Sequence, residues 1–179
     1  MAEFTASRLW VMRLAFVGLC IFLIFLHLLP LDTTPRRWAG PDLIVALVFV
    51  WSLRRPDYVP VLSVALVMLL SDLMLQRPPA LLALLVVLGA EHLKKRSRGL
   101  REASFVSEWT SVAIVLIAIT LINRVVLTIL VVQQAPLGLS IMQMFMTILF
   151  YPIVVAFSQI IMGVRKVAPG DVDLMRRSA

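Results

Sequence analysis

The stretch from Pro41 to Pro79, PDLIVALVFVWSLRRPDYVPVLSVALVMLLSDLMLQRPP, constrains the fold more than any other part of the chain. Two apolar runs, Leu43 to Leu53 and Tyr58 to Leu75, flank the basic turn Arg54-Arg55-Pro56-Asp57. They read as two membrane helices joined by a very short connection. Pro41-Asp42 opens the first, with proline near the first turn and an acid at the positive end of the helix dipole. Pro56 stops it, because the residue before a proline is pushed out of the α region. Trp51 and Tyr58 lie on either side of the turn, where amphipathic rings favour the headgroup level. Asp72 interrupts the second run and needs a partner, a wet cavity or a proton.

The rest of the chain repeats this pattern. Of 179 residues, 61% are hydrophobic and the mean hydropathy is +0.97, against about 45–50% apolar in soluble domains. The formal net charge is +7, but the cations cluster between apolar runs. That arrangement suits loops at an anionic membrane face. Nucleic-acid binding would want Lys and Arg interleaved with exposed aromatics, so no nucleic-acid partner is expected. Cys20 is the one cysteine and lies within the first apolar run. It reads as a small packing residue.

Six helices are expected, over about Leu9–Leu29, Trp38–Leu53, Tyr58–Leu75, Ala80–Leu93, Phe105–Val132 and Ser140–Val164. The first run follows Arg8 and Arg13 and ends in Leu28-Leu29-Pro30 without an A-x-A site, so it reads as a retained helix. The second helix is short for a hydrocarbon core of about 30 Å. It either thins the bilayer or is shielded by its neighbours. A loop with Asp32, Arg36 and Arg37 precedes it. His27 and His92 read as interfacial, as does Glu91. Lys94 to Arg101, KKRSRGLR, reads first as a topology signal and second as a lipid or partner contact. Pro152 predicts a kink in the sixth helix. Residues 1–164 form a transmembrane domain and 165–179 a polar cytoplasmic tail.

Counting cations outside helix interiors orients the chain. Arg8, Arg54, Arg55, Lys94, Lys95, Arg96, Arg98, Arg101, Arg165, Lys166, Arg176 and Arg177 fall on one side; Arg36, Arg37 and Arg77 fall on the other. The positive-inside rule then places both termini in the cytoplasm. In that arrangement Asp72 and Arg124 lie at similar depth on two outward-running helices. The first reading is an intramembrane ion pair, since a guanidinium suits a carboxylate. The second is a proton or ion site. Otherwise Arg124 snorkels outward or faces a partner chain.

Catalytic constellations are not found. The sequence has no H-E-x-x-H pair, no G-x-S-x-G elbow and no glycine-rich phosphate loop. No metal site or cofactor is expected. A chain of this kind is a structural partner or a permease-like binder. Its outer-side polar candidates are Asp72, Asn123, Arg124, Gln133 and Gln134.

Three local features carry a family resemblance. They are Pro41-Asp42-Leu43 at a helix entry, Trp51 through Arg55 and Pro56 at its exit, and Asp72 before the turn that ends at Pro79. Together they resemble the bacterial rod-shape-determining MreD family, which often has a glycine where Pro78-Pro79 stands here. The resemblance implies an all-α, six-helix protein of the bacterial inner membrane, similar in arrangement to the substrate-binding components of energy-coupling-factor transporters. It implies no enzymatic activity. It implies a place beside an MreC-like protein in the elongation complex with MreB, RodA and a class B penicillin-binding protein, supporting side-wall peptidoglycan synthesis. The transporter likeness supplies the alternative: a vitamin- or small-solute-binding membrane subunit. An intramembrane enzyme has no residues behind it.

Overall fold

The computed structural model describes residues 2–29, 38–100, 104–161 and 163. Among these it is all-helical: α1 (Ala2–Leu28), α2 (Leu43–Arg54), α3 (Val61–Met74), α4 (Leu81–Leu100), α5 (Phe105–Ile129) and α6 (Leu137–Ile160). A single 3-10 turn, Pro56–Tyr58, joins α2 to α3. The loop with Asp32, Arg36 and Arg37, the end of the basic run at Arg101, and the polar tail lie outside the described residues.

The bundle is built around α2. Its apolar residues go all the way round, and such a helix has no face to offer water. Every residue from Ile44 to Arg54 is buried. α4 and α6 flank it most closely, with α1 against it as well. With 12 residues it rises only about 18 Å. Neighbouring helices form its surroundings, so the shielding expectation holds and its shortness meets protein. The outer helices carry the apolar exterior: Trp10, Leu14 and Phe25 on α1, Leu62 and Leu66 on α3, Leu121 and Ile129 on α5, Ile153 and Ile160 on α6. Three stretches are long and apolar enough to cross a membrane: Ser7–Leu28, Phe105–Ile129 and Leu137–Ile160. α2 and α3 are shorter apolar helices.

Cys20 is fully buried in the core with Phe16 and Ile24, as a packing residue should be. At Gly89 a Cβ would come within 2.9 Å of both Val115 Cγ1 and Ile119 Cδ1. Glycine there lets α4 and α5 approach closely.

Element boundaries differ from expectation for identifiable reasons. α2 begins at Leu43, not Trp38, because Asp42 caps it: the Asp42 carboxylate accepts from Val45 N at 3.3 Å. α3 begins at Val61 because Pro60 keeps the residue before it out of the α region. α4 runs on to Leu100 rather than stopping at Leu93, since Lys and Arg are good helix formers. Glu91 and His92 are therefore inside the helix. α5 stops at Ile129, where Val131 takes φ +53° and Val132 N bonds back to Leu127 O. α6 starts at Leu137, directly after Pro136, and remains helical through Pro152.

Candidate functional site

Successive helices run antiparallel, so the bundle has two ends. One gathers Arg54, Glu108 and Lys94; the other gathers Asp42, Arg77 and Arg124. At each end of α2 a charged residue is answered by one from later in the chain.

At the first end, Arg54 is the last residue of α2 and is buried. Its Nε donates to Glu108 Oε1 at 3.0 Å and its Nη2 to Oε2 at 3.3 Å. This is the two-pronged guanidinium–carboxylate contact, which fixes direction as well as charge. Tyr151 on α6 donates its hydroxyl to the same Glu108 Oε1 at 2.9 Å. Glu108 is 0% exposed. The cluster thus ties α2, α5 and α6 together. Nearby, Trp51 Nε1 donates to Ser158 Oγ at 3.2 Å. The Trp51 ring packs against Phe16 and Tyr58. Trp109 Nε1 donates to Ile148 O at 2.9 Å. The short turn is held from two sides. Arg13 Nε donates to Asp57 O at 3.1 Å, and Lys94 Nζ to both Val59 O and Glu91 at 2.6 Å. Arg55 lies over the Tyr58 ring at 5.5 Å. Pro56 opens the 3-10 turn.

At the second end, Asp42 does three things. It caps α2 and accepts from Arg77 Nη1 at 3.0 Å, and its own N–H donates to Thr147 Oγ1 at 2.9 Å. Pro41, just before it, accepts from Leu43 N through its carbonyl. Arg77 is delivered by the end of α3. Gln76 takes φ +53°, and Arg77 N–H bonds back to Asp72 O at 2.9 Å, closing the helix in the manner of a left-handed C-terminal motif.

Asp72 and Arg124, expected as an ion pair, have other partners. Asp72 is fully buried and its Oδ2 accepts from Ala83 N at 3.2 Å, which ties α3 to the first turn of α4. Arg124 Nη1 donates to Ala135 O at 3.0 Å and Ser140 Oγ at 2.8 Å. Among the described residues the ion pairs are Arg54–Glu108, Arg77–Asp42 and Lys94–Glu91. The similar depth expected for the two does not make them neighbours: α3 packs on α1 and α4, while α5 packs on α4 and α6.

The residues that do pair carried weak sequence signals. Arg54 and Arg77 read as loop cations, and Glu108 lies in the first turn of α5. An acid in the first turn of an apolar helix, opposite the arginine that ends another, is the signal available in retrospect.

Two cavities open at the second end. One, of ≈ 490 Å³, is lined by His27, Trp38, Gln76, Arg77, Ser140 and Gln143 among others. A deeper one, of ≈ 180 Å³, adds Asp42, Asn123 and Thr147 and shares Arg77, Ser140 and Gln143 with the first. Of the outer-side polar candidates, Asn123 lines the deeper cavity. Asp72, Gln133 and Gln134 line neither. No group of three or more His, Cys, Asp or Glu that could hold a metal is found among the described residues.

In comparisons with known proteins, no family model, no curated protein and no solved structure matches the chain.

Proposed function

We propose that this protein is a non-enzymatic scaffold of the bacterial elongation complex, an MreD-like inner-membrane protein acting with an MreC-like partner in side-wall peptidoglycan synthesis. In this reading all six helices cross the membrane, both termini face the cytoplasm, and the Arg54 end is the cytoplasmic one. The sequence resemblance over Trp38 to Pro79 supplies the family. One structural observation supports the role. The motif's polar groups are spent inside the bundle: Asp42 on Thr147 and Arg77, Trp51 on Ser158, and Arg54 on Glu108. They fasten the central hairpin to α5 and α6 at the Arg54 end and to α6 at the Asp42 end. A rigid core with apolar outer faces is what a platform for other membrane proteins requires.

A second reading rests on the cleft at the Arg77 end. Its ≈ 490 Å³ falls within the usual size of small-molecule sites, about 300–1,000 Å³. That is the small-solute-binding reading, with Arg77, Gln76 and Gln143 as the polar contacts.

A clean deletion in a rod-shaped cell that carries this protein separates the two. The scaffold reading expects rounded cells, loss of side-wall synthesis and co-elution of the purified protein with an MreC-like partner. Normal rods with a vitamin or solute requirement would reject it in favour of the binder.

A further inference from the structure

A groove of ≈ 430 Å³ runs along the outside of the bundle between α5 and α6, towards the Arg77 end. Ile117, Leu121, Val125, Ile141 and Met144 make its walls, which are almost wholly apolar. Leu121 and Ile141 are exposed on the protein surface. Also among its lining residues, with Thr120, Thr128 and Ser140, is Arg124. Its Nη1 reaches Ala135 O, in the connection that precedes α6, so the guanidinium is drawn towards the helix ends and away from the hydrocarbon-like floor. Arg124 lies five residues before the end of α5, about 8 Å along the axis. That is the depth at which a long cationic side chain meets the membrane interface.

The charge on Arg124 is not answered by a carboxylate among the described residues. Its two acceptors, Ala135 O and Ser140 Oγ, are neutral. Both bonds use Nη1, whereas a guanidinium has five N–H donors spread over three nitrogens. An apolar slot with an uncompensated cation beside it, drawn towards the helix ends, matches a molecule with a hydrocarbon chain and an anionic head. A transmembrane helix is a poorer fit. At about 10 Å across with its side chains, it outsizes a groove of this volume, and a single acyl chain does not.

We propose that this groove is a binding site for an anionic phospholipid. One acyl chain lies between α5 and α6, and the phosphate accepts hydrogen bonds from the free nitrogens of Arg124. Phosphate is the acceptor geometry that a planar guanidinium serves best. The site rests on α5 and α6 crossing a membrane and not on membership of the elongation complex.

The test is native mass spectrometry of the full-length protein in detergent, titrated with phosphatidylglycerol or with phosphatidylcholine of the same acyl chains. The site expects phosphatidylglycerol to be retained about fivefold better, the contribution of one cation near an anionic headgroup. Arg124→Gln should abolish that preference, and Arg124→Lys should keep most of it. Leu121→Trp, which fills the groove and leaves the charge, should weaken retention of both lipids. Thermal unfolding checks that each variant is folded. If Arg124→Gln does not fold, the Arg124→Lys and Leu121→Trp results decide. Equal retention of the two lipids by the unaltered protein would overturn the site. So would a preference unchanged in Arg124→Gln, or a co-purifying protein that occupies the groove in place of lipid.

Discussion

At the scale of single residues, the Arg54–Glu108–Tyr151 cluster sets the strongest expectation. Both charges are buried and face each other through two hydrogen bonds. Removing one leaves the other desolvated and unpaired, which costs about 3–5 kcal/mol. Arg54→Ala and Glu108→Ala should therefore each cut the amount of folded protein and lower its unfolding temperature. The double variant Arg54→Met with Glu108→Leu should recover much of the loss, since apolar replacement of a whole buried pair is often neutral. The same cycle on Asp72 and Arg124 should give simple addition within about 0.5 kcal/mol, because they share no partner. A large coupling between those two, measured by unfolding in detergent, would contradict the geometry. Asp42 was legible from sequence because a cap acts on its own helix three residues away. Glu108 was not, because its partner is 54 residues distant in the chain.

At the scale of the helix, α2 and its neighbours depend on close approach. Gly89 of α4 faces Val115 and Ile119 of α5, with Phe49 of α2 at 3.4 Å. A larger side chain there must push α4 away from α5 or displace Phe49. Gly89→Leu should destabilise the bundle by about 1–3 kcal/mol, the usual cost of overpacking. Gly18 of α1 makes the control, since nothing lies within 4 Å of its Cβ position. Gly18→Leu should leave unfolding almost unchanged. Comparable losses at both positions would point to a general effect of removing glycine and away from the α4–α5 contact. Phe49 is itself fully buried, which is why it cannot move aside without cost.

At the scale of the molecule, the distribution of cations predicts which end faces which side. Burial removes Arg54 from the larger group of loop cations and pairing with Glu91 removes Lys94, while pairing with Asp42 removes Arg77 from the smaller. The asymmetry keeps its direction, with Lys95 and Arg96 at the basic end of α4 as its centre. Reporter fusions at Gln76 and Gln134 should therefore report the periplasm, and fusions at Arg98 and Ala179 the cytoplasm. A periplasmic Ala179 would remove the six-span arrangement.

Helices, their apolar runs and several of their stops could be read from the chain alone, because hydropathy, caps and proline act over a few residues. Asp42 at the start of α2 and Pro56 after its end behave as those local rules require. Pro60 obeys the same rule within the longer apolar run Tyr58 to Leu75, and α3 starts after it. Which helix lies against which is a different kind of information. Arg54 finds Glu108 and Tyr151, and Arg77 finds Asp42 and Thr147, because α2 takes the centre between α4 and α6. In a chain where nearly every helix is apolar, hydropathy favours no one packing order. Close contacts such as Gly89 against α5, and buried charges that tolerate only one partner, make the choice, and these exist only once the helices have met.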